Sequence, residues 1–475
     1  MLMEERGSIF LKNIFYAFLA QGISLCLSVL MSLIVPKLLG VEEYSYWQLF
    51  LFYSSYVGFF YFGLNDGIYL RIGGSNYKNL DFSLLGTQFK VATVINAFIS
   101  ILIIIFSLIF IEDSKRLFVL IMSALYLIVY NAVGFLGFIF QAVNKTKNYS
   151  ISVIIDRIIF IIFVLVLLLF NSADFRIYVI LFFLSKVVSL FYLTIVGKEI
   201  IYSSFRNITG ALKEMWKNIA VGINLMFSNI ASMLVLGNVR FIIDRKWGIT
   251  EFGMFSFALS LTTFFLLFIN QISIVLFPTL RQIKEDSLNY VYNVSRIGLS
   301  LFFPVVFLLY YPMIYLLNFW LPQYKDSFIY WALLLPICTF DGKMQMLCST
   351  FFKVLRKERL LLLINIFTMI ISIILSVVGA YVIGNLYSII IFLVLSIAIR
   401  SIIAELYLSK LMGISVIKDL ILEIGVASSF IISFWYLNVQ ESFLVFSLVY
   451  FIFLLINWNK LKYLIRTLFH LKFKN

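Results

Sequence analysis

The sequence predicts an all-α integral membrane protein of about 14 transmembrane helices: two pseudo-symmetric six-helix lobes followed by two C-terminal helices. Three observations support this fold class. The 475 residues are 63% hydrophobic and 13% charged, whereas soluble domains are about 45–50% apolar and about 25% charged. Fourteen apolar runs approach the length that a bilayer requires. A short motif also occurs twice, once in each predicted lobe.

The predicted spans follow from the apolar runs, since a transmembrane helix needs about 20 predominantly apolar residues. The spans of the first lobe are 14–35, 44–64, 84–111, 117–140, 150–170 and 177–196. Those of the second lobe are 219–243, 252–276, 297–319, 328–352, 360–383 and 386–408, and the last two are 416–437 and 443–458. Pro304 and Pro312 predict bends inside the ninth span, and Pro336 predicts a bend inside the tenth.

The repeated motif predicts a turn between the first two spans of each lobe. Its first copy begins at Gly40, and its second copy begins 208 residues later, at Gly248. In each copy the chain turns at the glycine, and the next span opens with aromatic residues, which are typical of the membrane boundary. The matched pairs are Gly40 and Gly248, Val41 and Ile249, Glu43 and Glu251, Tyr44 and Phe252, and Trp47 and Phe255.

Two further landmarks recur in the same order and at nearly the same offset. Arg71 matches Arg281 at 210 residues, and Lys145 matches Lys357 at 212 residues. Together with the turn motif they predict an internal duplication. Parallel repeats are one way in which transporters are built, and the substrate site then lies at the repeat interface.

The distribution of basic residues predicts the orientation. With the N-terminus inside, 27 of the 37 Lys and Arg residues fall in inner segments and 8 in outer segments. This bias follows the positive-inside rule, so we expect both termini in the cytoplasm and an even number of spans. The rule also explains the net charge of +14 without a nucleic-acid partner.

The predicted domain organisation follows from the spans and the polar connectors. It comprises an N-lobe (1–197), a cytoplasmic amphipathic linker (198–217), a C-lobe (218–410), helices 13 and 14 (411–459) and a basic cytoplasmic tail (460–475). No outer loop is long, and the longest polar connector is the linker between the lobes.

Enzymatic chemistry has no sequence support. The chain lacks a G-x-x-x-x-G-K-[ST] phosphate-binding loop, and its only histidine, His470, lies in the basic tail. No Ser/His/Asp arrangement or clustered metal-ligand set is present. We therefore expect a transporter that has no metal or cofactor.

Charged residues near span centres are the first candidates for function, because an ionisable group inside a bilayer costs about 2.5–3.5 kcal/mol on insertion scales. They are Lys186 in the sixth span and Asp341 and Lys343 in the tenth. Asp341 and Lys343 are two residues apart, so on a helix they point in different directions and pair elsewhere. A stabilising salt bridge and a role in a substrate cavity are equally open alternatives for these three residues.

Two arginines at span ends are further candidates. Arg71 ends the second span, and Arg240 breaks the positive-inside pattern at the outer end of the seventh. Arginine offers bidentate donors to phosphate oxygens, so an anionic headgroup would suit both. Snorkelling of these side chains to the lipid headgroups is the open alternative. The substrate-binding candidates are therefore Arg71, Arg240, Lys186 and Lys343. Candidate counter-charges or ion-coupling acids are Asp66, Asp156, Asp244 and Asp341.

The two lobes, the inner connector, the trailing helix pair and the repeated turn resemble polysaccharide flippases of the multidrug/oligosaccharidyl-lipid/polysaccharide exporter superfamily. The similarity is greatest to the Wzx-type O-antigen or capsule repeat-unit flippases. Residues that carry the resemblance are Pro36 to Tyr44, Gly63-Leu64 with Arg71, Arg240 to Gly248, and Glu251 to Phe255.

This resemblance implies transport of an undecaprenyl-pyrophosphate-linked oligosaccharide from the cytoplasmic to the periplasmic leaflet of a bacterial inner membrane by alternating access. The sugars and pyrophosphate would cross in a central cavity while the polyprenyl tail stays in lipid. Membrane lipids would be partners, and a polymerase and chain-length regulator of the same pathway are candidate partners. Coupling to the membrane potential or to an H⁺ or Na⁺ gradient is left open.

Two alternatives remain. A cation-coupled multidrug or solute antiporter of the same superfamily would require buried carboxylates, and Asp341 is the single acid that we expect near mid-span. A membrane polymerase or ligase of lipid-linked sugars would require a catalytic outer loop, which the sequence does not contain.

Overall fold

The computed structural model of the protein describes residues 2–205, 208–282 and 285–472, and it describes their side chains except at 2–14, 17, 268–282, 285–287 and 467–472. These ranges are almost entirely helical, and no strand occurs in them. The predicted all-α class is therefore confirmed. The side chain of Arg281, one landmark of the repeat, is outside the described residues. The chain forms two compact units, Met1–Ile230 and Ala231–Asn475.

The first unit contains the helices of the predicted N-lobe. They are α1 (Leu2–Leu33), α2 (Val35–Tyr56), α3 (Leu64–Ile72), α4 (Phe82–Phe110), α5 (Ser114–Ala142), α6 (Thr146–Leu169), α7 (Phe175–Val196), α8 (Lys198–Ile201) and the first part of α9 (Ile208–Trp247). A short 3-10 helix, Val57–Tyr61, follows α2. Helix α5 packs along α3 and α4, and α6 packs along α1 and α7.

The second unit contains the rest of α9 and the following helices. They are α10 (Ile249–Gln282), α11 (Glu285–Phe302), α12 (Val305–Trp320), α13 (Ser327–Leu334), α14 (Pro336–Lys343), α15 (Thr350–Val354), α16 (Glu358–Val377), α17 (Leu386–Leu411), α18 (Ile417–Tyr436), α19 (Val439–Ile456) and α20 (Trp458–Lys472). Helix α17 packs along α16, α13 and α14, and α18 pairs with α19.

Each of the fourteen predicted spans coincides with helix in the described part of the chain. Ten helices there are long and apolar enough to cross a membrane, and the α1–α2 pair, bent by 69°, adds an eleventh if it is one span. The predicted tenth span is divided into the shorter helices α13 to α15, and the thirteenth corresponds to α18. The predicted number of about 14 therefore agrees approximately with the structure.

Several helices of the first unit begin at an aspartate. The carboxylates of Asp81, Asp113 and Asp174 accept hydrogen bonds from backbone N–H groups at the start of α4, α5 and α7. An aspartate at this position satisfies N–H groups that lack a partner within the helix. The sequence thus encodes these helix starts locally.

Proline divides the ninth and tenth spans, as predicted. Helix α11 ends at Phe302 and α12 begins after Pro304, while α14 begins at Pro336, two residues after the end of α13. Proline lacks the N–H that would continue the helical ladder, so the helix breaks there. A π-helical turn, Met344–Ser349, follows α14, and it shifts the register of the side chains beyond Lys343.

The polar connector between the predicted lobes differs from the expected separate linker. Its first residues dock on α4, where Lys90 and Ser83 donate to the carbonyls of Ser203 and Ser204 at 2.8 and 2.9 Å. Its last residues, from Ile208 onward, are the first turns of α9 and continue into the seventh span. Hydropathy marks where the membrane begins and does not mark where a helix begins, so the sequence did not show that the amphipathic connector continues into the seventh span.

Candidate functional site

The repeated motif adopts a glycine turn in both units. Gly40 and Gly248 have φ angles of +70° and +89°, a region that a residue without Cβ enters at little steric cost. Helix α2 bends at Gly40, and Gly248 separates α9 from α10. The prediction that the chain turns at both glycines is confirmed.

The acid of the motif binds the corresponding helix start in each unit. The Glu43 carboxylate accepts from Lys115 Nζ at 2.6 Å, in the first turn of α5. The Glu251 carboxylate accepts from the Tyr330 hydroxyl at 2.8 Å, in the first turn of α13. Helices α5 and α13 begin the fourth span of their respective lobes. Each acid therefore connects its glycine turn to the corresponding helix of its lobe. The motif therefore has a structural role.

A second carboxylate fastens the first copy of the motif. Asp113, just before α5, accepts a hydrogen bond from the Tyr46 hydroxyl at 2.8 Å. Burial raises the pKa of Asp113, but the hydrogen bonds from Tyr46 and from the backbone N–H groups of Lys115 and Arg116 outweigh it and hold the pKa below its usual value. Asp113 is therefore ionised at neutral pH.

Lys186 forms a buried ion pair inside the first unit. Its Nζ lies 2.6 Å from Asp156 Oδ2, and the Ser185 hydroxyl donates to the other oxygen of Asp156 at 3.0 Å. Asp156 is 1% exposed and Lys186 is 8% exposed. This pair joins α6 to α7, and Asp156 is the counter-charge that the sequence analysis included among its candidates.

Lys343 lies in a larger buried ion network of the second unit. It binds two carboxylates, Glu405 of α17 and Glu423 of α18, and its Nζ lies 2.7 Å from Glu423 Oε2. Lys343 is 1% exposed, and the two carboxylates are at most 2% exposed. Glu405 and Glu423 therefore both contact the buried ammonium group of Lys343.

The same network extends from α17 and α18 to α11 and α20. Arg296 donates from Nε to Glu405 Oε1 at 2.9 Å and also pairs with Asp419. Asp419 pairs in turn with Lys460 of α20. Three cations therefore balance three carboxylates, and the network joins α11, α14, α17, α18 and α20.

Asp341 pairs with Arg400, whereas Lys343 pairs with Glu405 and Glu423. It accepts from Arg400 of α17 and from Gln345, and Arg400 Nη1 lies 3.1 Å from the Ser232 hydroxyl of α9. Asp341 and Lys343 therefore pair with separate partners, as their spacing predicted. Arg400 lies within the predicted twelfth span and is 5% exposed in α17.

Arg71 lies at the end of α3 and contacts the first turns of α9. Its Nη1 lies 2.5 Å from Asn218 Oδ1, and its Nη2 lies 2.9 Å from Glu214 Oε2. Glu214 Oε1 also accepts from Lys217 Nζ at 2.6 Å. The exposed fractions of the side chains are 35% for Arg71 and 27% for Glu214. Arg71 is thus more accessible than Lys186 or Lys343.

The remaining candidates occupy separate positions. The guanidinium of Arg240 in α9 lies 5.0 Å from the ring centre of Phe252 in α10. This distance is typical of a cation–π contact. Asp66 is half-buried in the first turn of α3. Asp244 is 6% exposed in the last turns of α9.

Two buried acids were missed by the sequence analysis. They are Glu405 and Glu423, which are 0% and 2% exposed and were not among the candidate acids. Both lie within predicted spans, in the twelfth and thirteenth respectively. The fold directs both carboxylates toward Lys343. An acid inside a predicted span was the signal that could have identified them.

A further repeat relation becomes visible once the partners are known. Lys186 of α7 and Arg400 of α17 are 214 residues apart, which continues the offsets of 208, 210 and 212. Both are buried cations in the sixth span of their lobe, and each pairs with an aspartate of a neighbouring helix. The repeat therefore preserves the charge at this position.

Comparisons with known proteins agree with this architecture. The structure is similar to a lipid II flippase MurJ in an inward closed conformation, with a TM-score of 0.66 and 16% identity over 94% of this chain and 99% of that one. It is similar to an inward-facing multidrug resistance MATE family transporter of the MOP superfamily, with a TM-score of 0.58 and 13% identity over 82% of this chain and 94% of that one. A MATE structure in the straight conformation gives 0.56 and 13% over 85% and 96%.

The protein is thus a multi-span helical membrane protein with the fold of MOP superfamily transporters. A family model described as "Polysaccharide biosynthesis protein" matches residues 10–284, more than half of the chain. The chain belongs to this polysaccharide biosynthesis protein family, which confirms the resemblance to a polysaccharide family that the sequence predicted. No curated protein sequence gives a significant match.

Proposed function

We propose that the protein is a flippase that moves an undecaprenyl-pyrophosphate-linked oligosaccharide from the cytoplasmic to the periplasmic leaflet of a bacterial inner membrane. The main support is that this member of the polysaccharide biosynthesis protein family has the fold of a lipid II flippase over nearly its full length. The product would serve O-antigen or another surface polysaccharide.

The headgroup of such a substrate is a pyrophosphate, and Arg71 and Arg240 are its proposed ligands. Arg71 is exposed at the end of α3, and Arg240 is half-buried. Lys186 and Lys343 were equal candidates from the sequence, but their buried ion pairs support a role in holding helices together. An inside-negative membrane potential would favour export of the anion by about 2.3 kcal/mol per charge per 100 mV.

A MATE-type antiporter is the second candidate function, and the fold similarity to MATE transporters favours it. The acids inside the spans argue against it, because Asp156, Asp341, Glu405 and Glu423 each pair with a Lys or Arg of the protein. A carboxylate held by an internal cation binds an external cation less readily.

Deletion of the gene in its host tests the proposal. We expect single lipid-linked repeat units to accumulate in the cytoplasmic leaflet, where a membrane-impermeant probe added from the periplasmic side cannot reach them. We also expect the surface polymer to be lost. Re-expression of the wild-type protein should restore both. Single units that reach the periplasm but stay unpolymerised would contradict flipping and indicate a polymerase. Unchanged glycan with raised drug sensitivity would indicate an antiporter.

A further inference from the structure

Two cations of the first unit share one exposed carboxylate. Glu214 Oε2 lies 2.9 Å from Arg71 Nη2, and Glu214 Oε1 lies 2.6 Å from Lys217 Nζ. Because Glu214 and Lys217 are three residues apart on α9, they lie on the same helix face. The three groups together carry one net positive charge, which is an unbalanced arrangement compared with the neutral ion network of the second unit.

The arginine of this group is held in a fixed orientation. Asn218 Oδ1 accepts from Arg71 Nη1 at 2.5 Å, and Asn218 Nδ2 donates to Gln88 Oε1 at 3.1 Å. Asn218 and Gln88 are 5% and 1% exposed, so they do not exchange readily with water. The guanidinium is therefore prepared before any ligand arrives.

Close helix packing also constrains the backbone next to Arg71 and Asn218. A Cβ on Gly67 would lie 1.8 Å from the Asn218 carbonyl oxygen, and a Cβ on Gly222 would lie 2.0 Å from the Gly63 carbonyl oxygen. Helices α3 and α9 therefore approach to a distance that only glycine allows. This close crossing fixes Arg71 of α3 relative to Lys217 of α9.

We propose that Arg71, positioned by Asn218, and Lys217 form a binding site for the diphosphate group of a lipid-linked substrate, and that Glu214 occupies this site as an internal anion when the substrate is absent. Arginine binds carboxylates and phosphates through the same fork of donors, so a bound carboxylate marks the place of a phosphate. A diphosphate carries more charge than one carboxylate and can satisfy both cations. The site rests on the proposed function, which supplies the lipid-linked diphosphate.

Displacement of Glu214 costs little. Its side chain is partly exposed, and Lys217 is 52% exposed, so the carboxylate can turn into water. An exposed ion pair contributes little to stability, and a diphosphate offers the two cations more charge and more acceptor oxygens than one carboxylate does. The balance favours a ligand that uses both cations.

Binding of farnesyl pyrophosphate to the purified full-length protein in an uncharged detergent tests the site. Arg71→Gln should weaken binding by about ten- to hundredfold, and Lys217→Gln by about fivefold. Glu214→Gln should strengthen binding by about two- to fivefold, because it removes the competing anion. Glu42→Gln is the matched control, since Glu42 also pairs with a lysine and is 62% exposed; it should leave the affinity unchanged.

The sign of the Glu214→Gln effect decides between competition and a structural role. Weaker or unchanged binding in a variant with wild-type thermal stability would overturn the proposal, as would Lys217→Gln binding with full affinity. Inorganic pyrophosphate and phosphatidic acid in mixed micelles identify the source of the phosphate. The same variant pattern with inorganic pyrophosphate supports the site, whereas the pattern with phosphatidic acid alone overturns the diphosphate assignment in favour of a bilayer headgroup.

The proposed site and the proposed transport function can be disproved independently of each other. If deletion of the gene traps lipid-linked units on the cytoplasmic side while the variants bind diphosphate alike, the flippase stands and this site is wrong. If the variants show the expected pattern while deletion leaves the surface glycan intact, the diphosphate site stands and the transported substrate must be another one.

Discussion

A buried cation that already faces two carboxylates contributes to stability more readily than to ligand binding. Lys343 is 1% exposed between Glu405 and Glu423. Each member of such a network pays a desolvation cost of several kcal/mol, which only its partners offset. Arg71, by contrast, keeps about a third of its side chain exposed and can exchange partners at low cost.

Removal of the Lys343 charge should therefore destabilise the second unit. Lys343→Met leaves Glu405 and Glu423 without their shared cation, and we expect a loss of about 3–5 kcal/mol, as for other broken buried pairs. The loss should appear as a lower midpoint of thermal unfolding in detergent. The double variant Lys343→Met/Glu423→Gln should recover part of it, because it also removes the charge of Glu423, whereas Glu405 still pairs with Arg296.

Lys217→Met is the control for this prediction, because the Lys217 side chain is 52% exposed and its ion pair contributes at most about 1 kcal/mol. A Lys343→Met variant as stable as Lys217→Met would show that the buried network is not required. The interpretation of Lys343 as a stabilising residue would then be wrong, and the cavity alternative would regain support.

The sequence identified some of the buried charges, but it could not identify their partners. The cost of a charge in a span singled out Lys186, Asp341 and Lys343. Their partners lie on other helices: Asp156 is 30 residues from Lys186, and Glu423 is 80 residues from Lys343. Packing between distant helices brings these residues together, and hydropathy contains no information about it.

At the scale of the element, the repeated turn depends on backbone conformation. Gly40 has φ +70° and ψ 179°, a combination that almost only glycine adopts and that costs other residues about 1–3 kcal/mol. A Cβ at Gly40 or Gly248 would meet nothing within 4 Å. Any penalty of a substitution at either position therefore comes from the backbone and not from a steric clash.

Gly40→Ala and Gly248→Ala should each lower the free energy of unfolding by about 1–3 kcal/mol. Gly425→Ala is the matched control, because Gly425 also has open space around it but lies inside α18. There alanine should be neutral or stabilising by up to about 1 kcal/mol. Thermal unfolding in detergent measures all three, and equal midpoints would contradict a conformational role for the turn.

Most elements followed from local signals, and the exceptions have physical reasons. The apolar runs and the prolines identified the helices and the breaks before α12 and α14. The amphipathic connector was predicted, but its continuity with the seventh span was not, because the first turns of α9, which include Glu214 and Lys217, are not apolar. The tight α3–α9 crossing at Gly67 was missed as well, since a single glycine in a sequence does not show which helix approaches it.

At the scale of the whole molecule, the duplication and the family are consistent with each other. The drift of the offsets from 208 to 214 residues along the chain indicates short insertions in the second copy. The lengths of its connectors have therefore changed while the charged and glycine positions remained. A fold built from two such copies supports many substrates by changes of side chains in the site, so the glycan is not specified by the fold.

The orientation in the membrane is the remaining property of the whole molecule that the charge distribution predicts. Lys357 belongs to a basic turn predicted to be cytoplasmic, and Lys325 belongs to an outer loop; both are exposed. In a Cys26→Ala background, whose other cysteines, Cys338 and Cys348, are buried, a membrane-impermeant maleimide should label Lys325→Cys in right-side-out vesicles. Lys357→Cys should react only after the vesicles are opened, because the positive-inside rule places its turn in the lumen. The reverse pattern would place both termini outside, and labelling of both positions would show that the tenth predicted span, 328–352, does not cross the membrane.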